Sequence, residues 1–237
     1  MTNTYFQFKQ FTVFQDKCAM KVCTDACLFG ALVANSQVPA AHCLDIGAGT
    51  GLLSLMYAQK DPLAIIDGVE IDNAAAEQAN ENFAASPWAG RLNIINADIL
   101  DLPVEKKYGL IISNPPFFED DLQSPDPFKN SAKHNTTLGL KQLLETVKKN
   151  LTAEGSFAVL LPYQRVDYFI GEAAKSGLYL TEQVLVKQTG KHEFFRGILF
   201  FSKKNCEQKR SEVIIKDTAG KYTPAFTSAL KDYYLHL

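Results

Sequence analysis

The sequence lacks the features that mark a secreted, membrane-spanning or metal-holding chain. No run of 18 consecutive apolar residues occurs, so no segment reads as a membrane span. Met1 to Phe14 alternates polar and aromatic residues, without the basic stretch and long apolar run of a secretory signal. Cysteine is sparse and odd in number: Cys18, Cys23, Cys27, Cys43 and Cys206. Their spacings match no paired zinc ligands and no disulfide framework, so they read as reduced thiols in a reducing compartment. A soluble, cytoplasmic protein is expected. Neither a metal-ligand cluster nor a nucleophile–histidine pair stands out, and no metal is expected. Internal repeats and low-complexity segments are absent too.

What remains is an ordinary globular composition. The 237 residues, 46% hydrophobic, suit one α/β domain whose core needs no disulfides. The net charge of −2 hides an asymmetry. Residues 1–119 carry 7 Lys/Arg against 13 Asp/Glu, a net −6, and residues 120–237 carry 17 against 13, a net +4. The basic second half suits a polyanion or a merely solvated lysine-rich surface; charge alone leaves both open.

From His42 onward strands and helices alternate. Strands are expected at His42–Ile46, Leu63–Ile71, Leu92–Asn96, Tyr108–Ser113 and Ser156–Leu161. Helices are expected at Leu52–Gln59, Asn73–Ala85, with Asn73 as a cap, Leu138–Leu151 and Gln164–Ser176. Continuous apolar strands alternating with helices predict a doubly wound, mostly parallel α/β sheet. Thr181–Lys187 and Arg196–Lys203 read as an antiparallel hairpin. Glu212–Lys216 and Thr223–Leu235 read as a last strand and helix on the same domain. Residues 1–36 precede the first sheet strand, and 119–137 read as a long loop of the kind that carries function or disorder.

Asp45-Ile46-Gly47-Ala48-Gly49-Thr50-Gly51 follows a strand and opens a helix. A dinucleotide fingerprint needs G-x-G-x-x-G, whereas here the third glycine comes early and an acid comes first. Asp45 would repel a pyrophosphate and suits a ligand with a positive amino group, such as the methionine part of S-adenosylmethionine. Glu70 ends the next strand, roughly 20 residues on, where an acid accepts from ribose hydroxyls in nucleotide folds. Asp72 competes with it, or caps the following helix. Asp98 follows the third strand, placed to accept from an adenine amino group. All three acids fall at the carboxyl ends of successive strands, the edge at which open α/β sheets bind ligands.

Asn114-Pro115-Pro116-Phe117 follows the fourth strand. Two prolines neither donate to a ladder nor extend a helix, so the tetrapeptide is a stiff turn with fixed carbonyl directions. The Asn114 side-chain oxygen and the Pro115 carbonyl are two acceptors for one NH₂ group. They favour a more tetrahedral nitrogen and stabilise the positive charge that develops as a methyl group arrives. Phe117 is expected to stack on a planar substrate; Phe118 either stacks or fills the core.

These residues bring a resemblance into view. Phe8-Lys9-Gln10-Phe11, the stretch Cys18–Asp25, Cys43–Leu53, Ser86-Pro87-Trp88-Ala89, Ile111–Phe117 and the terminal Tyr222-Thr223 to Tyr233-Tyr234-Leu235 resemble the tRNA(Val) adenine N6-methyltransferases, over nearly the whole chain. The resemblance implies a Rossmann-like, seven-stranded class I methyltransferase fold over 1–237, and tRNA adenosine 37 as substrate. It also implies that residues 1–36 lie over the cofactor and 205–237 pack on the same domain. Lys21, Thr24 and Asp25 would then cover the cofactor's methionine end. Asp45, Gly47, Gly49 and Gly51 would line it, Glu70 hold the ribose, Asp98 meet the adenine, and Asn114 to Phe117 hold the target base. The family commonly has Tyr where this chain has Phe117, and both stack.

An RNA substrate asks for basic side chains around the site. Lys129, Lys133 and His134 in the long loop, and Lys187, Lys191, His192 and Arg196 further on, are the candidates. The same tetrapeptide also serves enzymes that methylate guanine amino groups of ribosomal RNA or glutamine in release factors. A non-catalytic RNA-binding scaffold and an NAD-dependent dehydrogenase are the readings from other classes. The intact tetrapeptide argues against the first; Asp45 and the missing third glycine argue against the second.

Overall fold

The apolar runs assemble into one sheet. The computed structural model describes residues 3–18, 20–36, 40–103, 106–115 and 138–237. The sheet strands are β3 (His42–Ile46), β4 (Ile65–Glu70), β5 (Leu92–Asn96), β6 (Tyr108–Ser113), β7 (Leu151–Pro162), β8 (Tyr179–Thr189), β9 (Phe194–Ser202) and β10 (Lys209–Lys216). Their spatial order is β10-β8-β9-β7-β6-β3-β4-β5. β3 pairs in parallel with both β4 and β6. The chain therefore builds outward from β3 on one side and returns to its other flank, which opens a crevice at the carboxyl ends of β3 and β6.

β9 runs antiparallel to both β7 and β8, as the hairpin expectation requires. The count of seven strands is corrected to eight among the described residues: β10 pairs in parallel with β8, Val213 beside Val186. Val213 and Ile215 are buried and alternate inward. The added strand covers what would otherwise be an open, unpaired edge of β8.

Helices α2 (Leu52–Lys60), α3 (Asn73–Ala84), α4 (Leu140–Asn150), α5 (Val166–Lys175) and α6 (Pro224–Leu230) connect and cover the strands, after α1 (Thr24–Asn35). Strand residues alternate between two cores. Cys43, Leu110, Ile112, Ala158 and Leu160 face one core, shared with α1, α2 and α6. Leu44, Ile46, Ile111, Phe157, Val159 and Leu161 face the other, shared with α4 and α5. Burial on both faces is why these strands read as unbroken apolar runs.

Several boundaries shift for local reasons. Leu63–Ile71 shortens to β4 because Asp61 Oδ1 accepts from the Leu63 and Ala64 amides, which makes a turn. Asp72, not Asn73, caps α3, its carboxylate accepting from the Ala75 amide at 2.8 Å. α4 is shorter than Leu138–Leu151, since Leu151 already begins β7. The last helix stops at Leu230, and Tyr234 then bridges to Phe8.

Residues 1–36, unassigned from sequence, hold a hairpin of β1 (Tyr5–Gln7) and β2 (Thr12–Phe14), and all of α1. Phe8 packs on Phe11, Phe6 and Tyr234, and the Lys9 amide donates to the Tyr233 carbonyl. The two ends of the chain that carry the family resemblance thus meet in one aromatic cluster. Among the described residues no helix is long and apolar enough to cross a membrane.

Candidate active site

The glycine loop joins β3 to α2 at the switch point. Its amides are spent within the protein. Gly47 and Ala48 donate to the Val69 carbonyl, Gly51 to the Ala48 carbonyl, and Gly49 to Glu70 Oε2 at 2.9 Å. A pyrophosphate cradle needs such amides free and pointing outward, so this loop is not one. Gly47 and Gly49 have φ of 72° and 54°, and a Cβ on either would project into open space. Gly51, at φ 79°, has a different reason: a Cβ there would sit 2.3 Å from the Phe83 ring. It lets the start of α2 pack closely against α3.

Asp45 is the penultimate residue of β3 and is fully enclosed. One carboxylate oxygen accepts from the Ser54 hydroxyl at 2.7 Å and the Ser54 amide at 3.2 Å. The other, Oδ1, is buried and has no partner among the described residues. Burial pushes the carboxyl up to about 7; the Ser54 bonds pull it down and the nearby Glu70 charge raises it further. A cationic group at Oδ1 would satisfy the oxygen and restore the charge.

Glu70, half-buried at the end of β4, bridges the Gly49 and Asp72 amides with its two oxygens. Each oxygen keeps a lone pair for a further donor. Asp98 follows β5, and its carboxylate accepts from the Leu100 amide at 2.9 Å. On the other side of β3, Ser113 Oγ donates to the Ile46 carbonyl and ties the ends of β3 and β6 together. Asn114 is the next residue. Its Oδ1 is also buried, with no partner among the described residues. Two orphaned oxygens thus close adjacent strands at the switch point. His42 Nδ1 and Gln59 Oε1 are likewise buried without a partner among the described residues, so it is the shared position of the Asp45 and Asn114 oxygens at the switch point that suits a ligand's donors.

The N-terminal segment is fastened beside the loop by two carboxamides that the sequence did not single out. Asn82 of α3 accepts from the Phe14 amide and donates to the carbonyls of Phe14 and Thr50. Gln15 accepts from the Val22 amide. Lys21 reaches the Asn3 carbonyl, and Thr24 starts α1. Asp25, in the first turn of α1, accepts from Arg196 Nε at 2.7 Å, with both side chains largely covered. Two residues expected to touch different ligands therefore hold each other. The signal missed was the pairing of strand β9 with the α1 face, which no local pattern carries.

Neither Cys18 nor Cys23, in the N-terminal segment, is a ready nucleophile. Burial pushes Cys18 up to about 11 and Cys23 to about 12, with neighbouring carboxylates adding to both. Pro115 is buried. Pro116, Phe117, Phe118, Lys129, Lys133 and His134 lie outside the described residues. Lys191 is exposed in the turn between β8 and β9.

Comparison with known proteins bears on the family and the fold. Residues 25–166 match the model of the methyltransferase small domain. Over its whole length the chain is 41% identical to the tRNA1(Val) (adenine(37)-N6)-methyltransferase of Bacteroides thetaiotaomicron, covering all of both chains. It is 39% identical to the protein of that name from Escherichia fergusonii, over 98% of this chain and 95% of that one. Among solved structures, a predicted O-methyltransferase of Agrobacterium tumefaciens superposes with a TM-score of 0.68 at 18% identity, over 88% of this chain and 96% of that one. The ribosomal protein L11 methylase of Lactobacillus delbrueckii gives 0.55 at 16% identity, over 75% and 77%. With that fold, that crevice and full-length identity near two-fifths, the chain belongs to the family of tRNA1(Val) (adenine(37)-N6)-methyltransferases, built on the methyltransferase small domain.

Proposed function

We propose that the protein transfers the methyl group of S-adenosylmethionine to the exocyclic N6 of adenine 37 in the anticodon loop of a valine tRNA. The observation that carries the reading is the pair of buried oxygens, Asp45 Oδ1 and Asn114 Oδ1, that have no partner among the described residues and lie at the carboxyl ends of adjacent strands. One suits the cofactor's ammonium group, the other the substrate's NH₂.

When bound, the sulfonium supplies an electrophilic methyl group and a neutral leaving group. Asp45 holds the ammonium, Glu70 accepts from the ribose hydroxyls, and Asp98 accepts from the adenine amino group. Gly47 and Gly49 leave the room the ligand occupies. Asn114 Oδ1 and the Pro115 carbonyl accept from the two N6 hydrogens, draw the nitrogen lone pair out of the ring plane and aim it at the methyl group. In sequence, Pro116 stiffens that turn and Phe117 supplies a stacking face. An anticodon loop presents its bases largely unpaired, so extrusion costs less than from a duplex. Lys133, His134 and Lys191 are assigned to the RNA. Arg196 is assigned to hold Asp25, and through it the first turn of α1, against the sheet.

Mass spectrometry of tRNA nucleosides, after incubation with S-adenosylmethionine, tests the reading. N6-methyladenosine at position 37 is expected. Methyl label on ribosomal RNA guanine or on a release-factor glutamine, with none in tRNA, overturns it. Asn114→Ala should lower turnover at least 100-fold while cofactor still binds; equal turnover removes Asn114 from the reaction.

A further inference from the structure

Beside the catalytic turn stands a group of side chains that the transfer itself leaves unused. Tyr163 follows the end of β7, and Phe194 opens β9, the next strand over. Their ring centroids lie 5.4 Å apart, tilted by 43°. Lys187, at the end of β8, places its ammonium 4.3 Å from the Phe194 centroid. Tyr163 is 39% exposed, a large aromatic face left open to solvent. The cation under the ring is an arrangement that also suits a stacked base.

The register fixes where this group lies. Ser113 of β6 sits beside Val159 of β7, and β7 continues to Pro162. At about 3.3 Å per residue, Tyr163 lies about 10 Å beyond Asn114 toward the open edge, and one strand spacing across. It occupies the carboxyl edge that holds the reacting groups. The turn from β8 to β9 is pinned by the His192 amide on the Thr189 carbonyl and by the Thr189 hydroxyl against His192 Nδ1 at 2.7 Å. That turn holds the exposed Lys191 and His192, three and two residues before Phe194.

We infer that Tyr163 and Phe194, with Lys187 beneath, form a stacking platform for the unpaired nucleotide that neighbours the methylated adenine. The inference rests on the RNA reading of the active site. Stacking on an aromatic ring accepts any base, and the lysines meet the adjoining phosphates, so the platform places the loop without reading its sequence. A peptide substrate lacks the phosphate backbone that the lysines would meet.

The test uses an anticodon stem-loop RNA with 2-aminopurine at either neighbour of the target adenine. Binding to the wild type should quench the fluorescence of one of the two probes. Tyr163→Ala and Phe194→Leu, the second keeping apolar packing, should each weaken RNA affinity about ten-fold and abolish the quenching. Both should raise KM for RNA with kcat at saturating RNA held, and leave S-adenosylmethionine affinity within two-fold. Tyr163→Phe should recover the quenching. If the wild type binds and methylates the RNA but both variants retain affinity and quenching, the platform is wrong and the methyl transfer stands. If the wild type neither binds nor methylates it, the RNA reading falls and the platform with it.

Discussion

Asp45 and Asp67 are buried carboxylates on neighbouring strands, one register step apart, with Asp45 beside Gly68 and Leu44 beside Asp67. Asp67 is surrounded by donors. Lys106 Nζ reaches it at 2.6 Å, the Tyr108 hydroxyl at 3.0 Å and the Asn93 amide at 3.1 Å. Burial pushes its carboxyl up, but these bonds outweigh burial and hold it below the usual range. Among the described residues Asp45 has only Ser54, one oxygen left over, and a carboxyl pushed up to about 7. The same side chain is a finished clamp where the fold supplies its partners, and an unfinished one where a ligand must. A carboxylate's function is set by the donors it lacks.

The comparison is most sharply broken by Asp45→Asn, which keeps the shape and removes the charge. Cofactor affinity should fall about 100-fold, or about 2.7 kcal/mol, with no loss of melting temperature. Affinity within three-fold of the wild type, by calorimetry, would take Asp45 out of the site. Asp67→Ala should behave in the opposite way. It strands three donors, and should cost about 2 kcal/mol and lower the melting temperature by about 4–8 °C, with cofactor affinity kept.

pH separates the two carboxylates next. The free Asp45 carboxyl titrates near 7, and a bound ammonium lowers that value. Cofactor affinity should therefore fall about ten-fold per pH unit below 7, and level off above it. The raised value also means that folding loses stability as pH rises from the unfolded carboxyl range through 7, so the cofactor's thermal stabilisation should grow from pH 6 to pH 8. Asp67, held low, adds stability above its unfolded value and loses it only as pH falls below about 4. A cofactor affinity flat between pH 6 and 8 would refute the assignment. The smallest effect belongs to Lys106→Met. Lys106 is 39% exposed, so its loss should cost about 1 kcal/mol or less, with Tyr108 and Asn93 still in place. Acid unfolding should move to higher pH, because Asp67 loses its cation.

Much of the crevice was legible in the sequence for a local reason. Strand-ending acids, a glycine loop and an Asn-Pro-Pro turn each announce themselves within a few residues, and a parallel sheet collects the strand ends on one edge. The order β3 to β6 follows from alternating apolar runs. The hairpin of β1 and β2 was hidden because Phe8 and Phe11 find their partners in Tyr234 and Trp88, far along the chain. β10 was read as a strand, but its pairing with β8, which makes the sheet eight-stranded, depends on which edge was left open. Arg196 looked like a phosphate contact because its partner, Asp25, is 171 residues away.

The sequence by itself determined where the candidate groups fall: Asp45, Glu70, Asp98 and Asn114 stand at or just past the carboxyl ends of successive strands, because apolar runs and the turns that end them are local patterns. Only the tertiary structure decided which of those groups are left unsatisfied. It gave Asp67 three donors, Asp45 one neighbouring serine and Asn114 Oδ1 none among the described residues. Hydrogen-bond partners come from strands and helices distant in sequence, and desolvation strengthens both a satisfied bond and the demand of an empty one.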